Sequence, residues 1–395
     1  MSRRRFMLHS VAAAAALTTP LLPTGGAVAQ HPAPGAAATD AGKASTAEGE
    51  ISIVNIEQLE EEARRILPPG RFAFMGPAGD GWTYRENRRA FADYRLMPRR
   101  LQGIAAESID LRTRLLDLDL PLPIFTAPTG AQGMIHVNAE IPNARGTGQA
   151  GALFVASGAS SRPMEEIARA TPAPKWFQIY MNRDMEINRW LVQRARAAGY
   201  SAIVLTADAL GPGQSDEFVR LGRPFPPDFS AGNHDPALGG RGNFRDQRRN
   251  LSFDDIGFLR EASGLPVVVK GIVQPDDIRA ALGAGAACIW VSNHGGRQMD
   301  GVPASISLLR GAVDAVDGRV PVVLDSGIRR GIDVIKALSM GATAVAIGRP
   351  ALWGLAAGGA AGVKGVYSQL ANEMRSAMLL MGVAKVSQFN RTHIA

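Results

Sequence analysis

The feature of the sequence that most constrains the fold is a series of eight short apolar runs between positions 121 and 350. Amphipathic segments of helical period, such as Asn188 to Gly199 and Gln274 to Gly285, lie between most of these runs. Buried strands that alternate with helices predict a parallel sheet, and eight such repeats predict an α/β fold of the (β/α)8 TIM-barrel type. The runs are Pro123 to Pro128, Ala152 to Ser157, Trp176 to Met181, Ala202 to Asp208, Pro266 to Gly271, Cys288 to Ser292, Pro321 to Ser326 and Ala344 to Pro350.

An open doubly wound sheet is the alternative fold for this pattern. A G-x-G-x-x-G motif after the first strand favours that fold, and the sequence has none there. Residues 53–68 have helical period and stop at Pro68-Pro69-Gly70, and a second helical stretch follows within residues 72–91. We therefore expect one barrel domain over residues 51–395 that begins with a helical segment. Two closing helices are expected after the last strand, at Trp353 to Gly362 and Val366 to Met381.

The first 29 residues have the pattern of a cleaved signal peptide. A basic start is followed by an apolar stretch from about Val11 to Leu22, and then by Ala27-Val28-Ala29 ahead of Gln30. The apolar stretch is too short to span a membrane as a stable helix.

The string Ser2-Arg3-Arg4-Arg5-Phe6-Met7 resembles a twin-arginine export signal, and an ordinary secretory signal with additional arginines is the alternative. Export by the twin-arginine route predicts a periplasmic or secreted protein that folds around its cofactor before it crosses the membrane. Residues 30–50 are rich in Ala, Gly, Pro and Thr and are predicted to form a disordered linker.

Composition excludes several classes of function. The chain is 46% hydrophobic and 20% charged, which is ordinary for a globular protein. The net charge of +7 includes three arginines of the signal, and no motif combines basic and aromatic residues, so we expect no nucleic-acid partner. The six histidines show no metal-ligand spacing, and a single cysteine, Cys288, cannot form an internal disulfide.

Polar residues end each predicted strand, where a barrel of this type carries its functional groups. The last two strands end in Asp325-Ser326-Gly327-Ile328-Arg329-Arg330-Gly331 and Gly348-Arg349-Pro350. Free backbone N–H groups, arginines and a helix start at these positions predict a phosphate site, and surface arginines that cap helices are the alternative. A phosphate site beside a dry barrel mouth fits flavin mononucleotide (FMN).

The sixth run, Cys288 to Ser292, ends in Asn293-His294-Gly295-Gly296-Arg297. His294 can accept a proton near neutral pH, and Arg297 can bind a carboxylate through two parallel hydrogen bonds. A capped loop whose histidine packs on the strand end is the alternative for these residues alone.

The longer string Ser292-Asn293-His294-Gly295-Gly296-Arg297-Gln298 closely resembles the active-site signature of the FMN-dependent α-hydroxy-acid oxidases and dehydrogenases, the family of lactate oxidase and glycolate oxidase. The resemblance extends from about Ile53 to the C-terminus. It implies FMN as the cofactor, oxidation of a 2-hydroxy acid to the 2-oxo acid, and a homo-oligomer, commonly a tetramer. It leaves open whether the electron acceptor is oxygen or a respiratory carrier, although an exported location favours the latter.

The resemblance also implies roles for single residues. His294 matches the catalytic base, and Asp208 matches the aspartate that orients it. Arg297 matches the arginine that holds the substrate carboxylate, and Tyr180 matches the tyrosine near the substrate oxygen. Lys270 matches the lysine beside flavin N1 and O2. The other matches, all to FMN contacts, are Ala127, Pro128, Thr129, Ser157, Gln178, Thr206, Ser292, Asp325, Gly327, Arg329, Gly348 and Arg349.

The chain departs from the family pattern around the substrate. Phe74 takes the place of a tyrosine that binds the carboxylate, and Ser215 takes the place of a second arginine. Gly158-Ala159 replace a bulky aromatic residue, and Gly130 stands where alanine is common. We expect a roomier pocket with fewer carboxylate contacts, for a substrate larger than lactate or glycolate or one that is not a free acid.

The segment from Ala209 to about Asn250 has no clear period and is expected to form a lid over the site. Arg220, Arg223 or His234 are its candidates for a replacement contact to the substrate. Two other functions remain open for the whole chain: an FMN-binding barrel enzyme of another reaction class, such as an isomerase, and a non-catalytic flavin binder.

Overall fold

The computed structural model describes residues 42–211, 213, 215–223 and 231–395. These residues belong to one compact unit, Ala38–Ala395. The predicted signal peptide, residues 1–29, and residues 30–41 of the predicted linker lie outside the described residues.

Eight parallel strands form the predicted barrel. Their order around the sheet is β3-β10-β9-β8-β7-β6-β5-β4. The N–H of Thr126 donates to the carbonyl of Leu153 over 3.1 Å, which links β3 to the segment leading into β4. The strands, numbered after a hairpin of β1 (Thr113–Leu115) and β2 (Leu118–Leu120), are β3 Ile124–Thr126, β4 Phe154–Ser157, β5 Lys175–Ile179, β6 Ile203–Thr206, β7 Val267–Lys270, β8 Cys288–Val291, β9 Val322–Leu324 and β10 Ala344–Ile347. All eight predicted strands are therefore confirmed, each slightly shorter than its apolar run.

Helices follow the strands and cover the outside of the barrel. The last helix is interrupted at Gly358 and Gly359, whose backbone angles are not helical. It therefore divides into two parts as predicted, but the break falls within the predicted helix Trp353 to Gly362 and not after it. No helix in the described part of the chain has the length and apolar character needed to cross a bilayer. The helices are α1 Ile56–Ile66, α2 Pro69–Phe74, α3 Trp82–Arg89, α4 Glu140–Gln149, α5 Met164–Ala170, α6 Met185–Ala197, α7 Asp216–Arg220, α8 Asp254–Ser263, α9 Pro275–Gly283, α10 Ser305–Val316, α11 Gly331–Ser339 and α12 Arg349–Met381.

The alternation of side chains along each strand produces two cores. One set of alternate residues fills the barrel, where the ring of Phe125 packs edge-on against Trp176 and Trp290 at centroid distances of 5.8 and 5.2 Å. Leu115 and Leu120 of the hairpin belong to this inner core. The other set packs against the helices, so every strand is buried on both faces and reads as a continuous apolar run.

The segment ahead of α1 differs from the prediction. Residues 42–50 were expected to belong to a disordered linker, but Ser45 donates from its backbone N–H to Ile135 O over 2.9 Å and from Oγ to Ala356 O over 2.7 Å. The N–H of Val137 donates back to Ser45 O over 3.0 Å. The boundary at Ile51 is therefore too late, because these residues are packed on the barrel domain.

A second difference concerns the two prolines at the end of α1. The helix ends at Ile66, as Pro68-Pro69-Gly70 predicted, but Pro69 then begins α2. Proline suits a first helical position, because the N–H it lacks has no partner within the helix. Helix α2 carries Phe74 to the barrel mouth.

Candidate active site

A cavity of about 860 Å³ opens at the carboxyl ends of the barrel strands. Three predicted catalytic or substrate-binding residues, Tyr180, His294 and Arg297, lie on its wall. Nine of the predicted FMN contacts line the same cavity, and they are Ala127, Pro128, Thr129, Lys270, Asp325, Gly327, Arg329, Gly348 and Arg349. The structure thus brings together residues from six strand ends that lie up to 222 positions apart in the chain (Ala127 to Arg349).

His294 is held in one orientation by Asp208. Its Nδ1 lies 3.0 Å from Asp208 Oδ1, which leaves Nε2 as the nitrogen available to a substrate. The backbone of His294 is in the left-handed region at φ 59°, and its N–H donates to Ser292 Oγ over 3.0 Å. A non-glycine residue held at positive φ is strained, which is common where a side chain must be aimed at a site.

Asp208 is a largely buried carboxylate between the side chains of Lys270 and His294. Its Oδ2 lies 4.0 Å from Lys270 Nζ. Burial raises the pKa of Asp208 most strongly, but the charges of Lys270 and His294 outweigh it, so the pKa falls below its usual value. Gly271, at φ 91°, allows this approach, because a Cβ there would overlap the Asp208 side chain. Asp208 therefore stays ionised beside His294.

Lys270 is 3% exposed and sits among three oxygen acceptors. Its Nζ donates to Ser292 Oγ over 2.9 Å and lies 3.6 Å from Asp325 Oδ2. Asp325 also accepts from Trp290 Nε1 over 3.1 Å. These contacts fix the amino group of Lys270 at the wall of the cavity.

Arg297 is anchored by one nitrogen only. Its Nη1 donates to the carbonyls of Phe74 and Gly76 over 2.5 and 3.0 Å. Its other guanidinium nitrogens donate no hydrogen bond within the described residues, which leaves donors for an anion in the cavity. Burial lowers the pKa of Arg297, so an anionic partner would be stabilising there.

Tyr180 lines the same cavity as Arg297. Burial raises the pKa of its hydroxyl, and the charge of Asp208 raises it further, so Tyr180 stays neutral and can donate a hydrogen bond. Its ring packs edge-on against Phe244 of the β6–α8 loop at a centroid distance of 5.9 Å.

Arg329 and Arg349 occupy the part of the cavity predicted to bind phosphate. Arg349 follows Gly348 at the start of α12, and it donates to Met75 O and Gly295 O over 2.8 and 2.7 Å. Burial, followed by the charge of Arg297, lowers the pKa of Arg349 to about 9. The guanidinium of Arg329 lies 4.6 Å from the centroid of the Trp353 ring. Arg349 at the N-terminus of α12, with Arg329 beside the first turns of that helix, could hold an anion.

Several predicted FMN contacts carry buried polar atoms that have no hydrogen-bond partner in the described part of the chain. They are Gln178 Nε2, Thr206 Oγ1 and Arg349 Nη2. Each such atom costs about 1–3 kcal/mol when it is left unsatisfied. Gln178 is otherwise fixed, since its Oε1 accepts from Ser157 Oγ over 2.9 Å. A polar cofactor at the strand ends would satisfy these atoms, so the residues present fit FMN.

The substitutions noted in the sequence have distinct structural outcomes. Phe74 lines the cavity and its ring faces the Arg297 guanidinium at 5.3 Å. Ser215 does not line the cavity; its Oγ caps α7 by accepting from the N–H of Phe218 over 3.3 Å. Ala159 and Gly130 lie in contact on the cavity wall, where a larger side chain would reduce the space for substrate.

The β6–α8 loop contributes residues that the sequence did not single out. Arg245, Gln247 and Arg249 line the cavity, whereas none of the three proposed replacements does. Arg220 pairs with Asp216 at 3.8 Å, and His234 Nδ1 lies 2.9 Å from Arg241 O. In the sequence these residues show only an alternation, Arg245, Gln247 and Arg249, and this pattern is too short to predict that they line a cavity.

The chain is similar to proteins of known activity over most of its length. Residues 63–395 match the family model for FMN-dependent dehydrogenase. The chain is 40% identical over 347 residues to the L-lactate oxidase of Lentilactobacillus hilgardii, covering 86% of this chain and 94% of that protein. It is 38% identical over 357 residues to the glycolate oxidase of Spinacia oleracea, covering 87% of this chain and 96% of that protein. A crystal structure of mandelate oxidase superposes with a TM-score of 0.80 at 36% identity, covering 85% of this chain and 96% of that protein.

Proposed function

Because the chain belongs to the FMN-dependent dehydrogenase family, we propose that it oxidises a 2-hydroxy acid larger than lactate or glycolate to the 2-oxo acid, with His294 as the base. The observation that carries the proposal is the group of His294, Arg297 and Tyr180 on the wall of one cavity, with Asp208 behind the histidine. The similarity to lactate, glycolate and mandelate oxidases supports the same reaction class.

The substrate carboxylate is held by Arg297. Its Nη1 is fixed by two backbone carbonyls, so the guanidinium does not have to be ordered when substrate binds, and its remaining donors face the cavity. The neutral hydroxyl of Tyr180 donates to the substrate oxygen and fixes the position of the carbon that is oxidised.

His294 accepts the proton that leaves the substrate. The carboxylate of Asp208 holds the ring by Nδ1 and stabilises the positive charge that forms, the role a buried carboxylate has in other histidine bases. When bound, FMN would accept the two electrons together with the second hydrogen that the alcohol loses on becoming the ketone. Lys270, on the cavity wall, would lie beside the cofactor, and Arg329 and Arg349 would hold its phosphate.

The size of the substrate follows from small residues on the cavity wall. The small side chain of Ala159 leaves space on the cavity wall, and the phenyl ring of Phe74 offers an apolar contact but no hydroxyl. A carboxylate without the second arginine loses a charged hydrogen bond worth about 1.5–3 kcal/mol. Apolar contact with a larger group offsets that loss, which favours aryl or long-chain acids over lactate.

Oxygen is proposed as the electron acceptor, since the similar proteins are named oxidases, and a respiratory carrier is the alternative. We also propose that residues 1–29 direct export to the periplasm or the medium, and that the chain forms a homo-oligomer. A second function, an FMN-dependent reaction on a carbinol that is not a free acid, is favoured only by Phe74 and by the position of Ser215 outside the cavity.

The test is a titration of the flavin absorbance of the purified protein under anaerobic conditions. The (S)- and (R)-forms of lactate, mandelate and a long-chain 2-hydroxy acid are added separately, and bleaching of the yellow band is recorded. The proposal expects one enantiomer of a bulky acid to bleach the flavin at lower concentration than lactate, and colour to return rapidly in air if oxygen is the acceptor. A flavin-containing protein that no acid bleaches would contradict hydroxy-acid oxidation and favour the second function.

A further inference from the structure

An extended segment of the β6–α8 loop runs antiparallel to the residues that follow β5. The N–H of Arg248 donates to Met181 O over 2.7 Å, and the N–H of Arg183 donates to Asp246 O over 2.9 Å. Asn182 and Gln247 are paired between these bonds. In an extended segment alternate side chains point to opposite sides, and Gln247 and Arg249 accordingly line the cavity while Arg248 does not. Arg245 lies in the turn that precedes this segment, where the N–H of Asp246 donates to Asn243 O over 3.0 Å, and it lines the cavity as well.

The arginines on the two sides of this segment differ in their partners. Arg248 points away from the cavity and pairs with the buried Asp255 at 2.7 Å. The exposed side chains of Arg245 and Arg249 form no ion pair or hydrogen bond with any described residue. Arg248 therefore fixes the segment to α8, and the two cavity-facing cations remain available for a ligand.

The other cations of the cavity already have partners or roles. Lys270 is surrounded by Ser292, Asp208 and Asp325. Arg297 is assigned to the carboxylate next to the reacting carbon, and Arg329 and Arg349 to the cofactor phosphate. Arg245 and Arg249 are the arginines of the cavity wall without an assigned partner, and they lie on the β6–α8 loop rather than at the strand ends.

We propose that Arg245 and Arg249 bind a second carboxylate of the substrate, remote from the carbon that is oxidised, so that the preferred substrate is a dicarboxylic 2-hydroxy acid. The inference rests on the proposed function. The chain has an enlarged cavity and lacks the second arginine contact near the reacting carbon. A second carboxylate bound by Arg245 and Arg249 makes both features compatible with an acidic substrate. Arg245 lies in the turn and Arg249 in the extended segment that follows it, so single variants can separate their contributions.

The test compares two acids of equal chain length, (S)-2-hydroxyhexanoate and (S)-2-hydroxyadipate, which differ by one terminal carboxylate. Anaerobic bleaching of the flavin gives a Kd and a reduction rate for each acid with the FMN-loaded protein and with Arg245→Gln, Arg249→Gln and the double variant. Arg310→Gln, an exposed arginine on the outer face of α10, is the matched control.

The proposal expects the wild-type protein to bind the dicarboxylate more tightly. At least one single variant should weaken its binding by about three- to tenfold, a range between an exposed ion pair and a charge-assisted hydrogen bond. Binding of the monocarboxylate should stay within about twofold, and Arg310→Gln should change neither acid.

Equal binding of the two acids by the wild-type protein would overturn the inference, and so would variants that weaken both acids alike. Variants that alter only the reoxidation of the flavin would assign the two arginines to the electron acceptor instead. If neither these acids nor any other bleaches the flavin, the proposed function itself fails, and that result is distinguishable from the others.

Discussion

At the scale of single residues, the chemistry depends on how Asp208 is kept charged. Burial alone would favour its protonated form, and the charges of Lys270 and His294 reverse that preference and lower its pKa. Its contribution is therefore present above the usual pKa of an aspartate, about 3.9, and is lost only as the pH falls through the lower value in the folded protein. Over the physiological range Asp208 supplies a fixed negative charge to the histidine.

Asp208→Asn should slow flavin reduction by about a hundredfold or more, because the protonated form of His294 loses the charge that stabilises it. The pH dependence of the reduction rate should also change, because the base no longer has an ionised carboxylate beside it. Stopped-flow reduction measured from pH 5 to 9 checks both effects. A variant with the wild-type profile and a uniformly lower rate would show that Asp208 only supports the local structure.

Some residues of the site can be predicted from the sequence directly around them, whereas others are placed by contacts with distant parts of the chain. His294, Arg297 and Lys270 stand directly at the ends of apolar runs, so their place at the barrel mouth follows from the strand pattern and their roles from the family signature. The contacts of Arg297 with Phe74 and Gly76 join residues more than 220 positions apart. Arg245 and Arg249 were missed because their orientation depends on pairing with residues 181–183, which no local pattern shows.

At the scale of elements, the eight strands were predictable because each is buried on both faces and therefore uniformly apolar. The loops were not predictable, because the shape of each loop depends on its close contacts with other loops. The loop after β3 lies against the loop after β4, where Gly130 contacts Ala159. A Cβ at Gly130 would lie 2.7 Å from Ala159 Cβ and 2.9 Å from Ala159 O, so the absence of a side chain is a packing requirement.

Gly130→Ala should lower the free energy of unfolding by about 1–3 kcal/mol, the usual cost of overpacking. Gly257→Ala is the control, since a Cβ at that position in α8 would meet no atom within 4 Å. This control should be neutral or stabilise by about 0.5–1 kcal/mol, because alanine favours a helix. Denaturant unfolding of the two variants gives the comparison, and equal stability would contradict the contact between the loops.

At the scale of the whole molecule, the barrel domain includes more of the N-terminal region than composition indicated. A stretch rich in small residues suggested a linker up to residue 50, yet residues 42–50 are held by backbone and side-chain hydrogen bonds to Ile135, Ala356 and Gly358. Composition cannot reveal such a segment, because its stability comes from its partners and not from an apolar pattern of its own.

A chain that begins at Ile51 should be less stable than one that begins at Gln30. The loss should be about 2–4 kcal/mol, at roughly 1 kcal/mol for each hydrogen bond removed. Thermal unfolding of the FMN-loaded proteins measures the difference, and a chain that begins at Ala41 serves as the control. Identical midpoints for the Ile51 and Gln30 chains would show that the segment is not part of the stable domain.

The proposed export signal makes its own prediction for the full chain. Replacement of Arg3 and Arg4 by lysine should retain the protein in the cytoplasm, because the twin-arginine route requires both arginines while an ordinary secretory signal needs only positive charge. Fractionation of cells that express the two chains measures the location, with Arg5→Lys as the control. Normal export of the Arg3→Lys, Arg4→Lys chain would assign residues 1–29 to the ordinary secretory route.

The central claim is that His294 removes a proton from a 2-hydroxy acid held in this cavity, and the rate of anaerobic flavin reduction in His294→Asn tests it most directly. With an acid that bleaches the wild-type flavin, the account predicts reduction slowed by about 10²–10⁴-fold, the usual contribution of a general base. The FMN content should be unchanged, since the predicted FMN contacts remain intact. Reduction at the wild-type rate by His294→Asn would contradict the assignment of the base and, with it, the proposed mechanism.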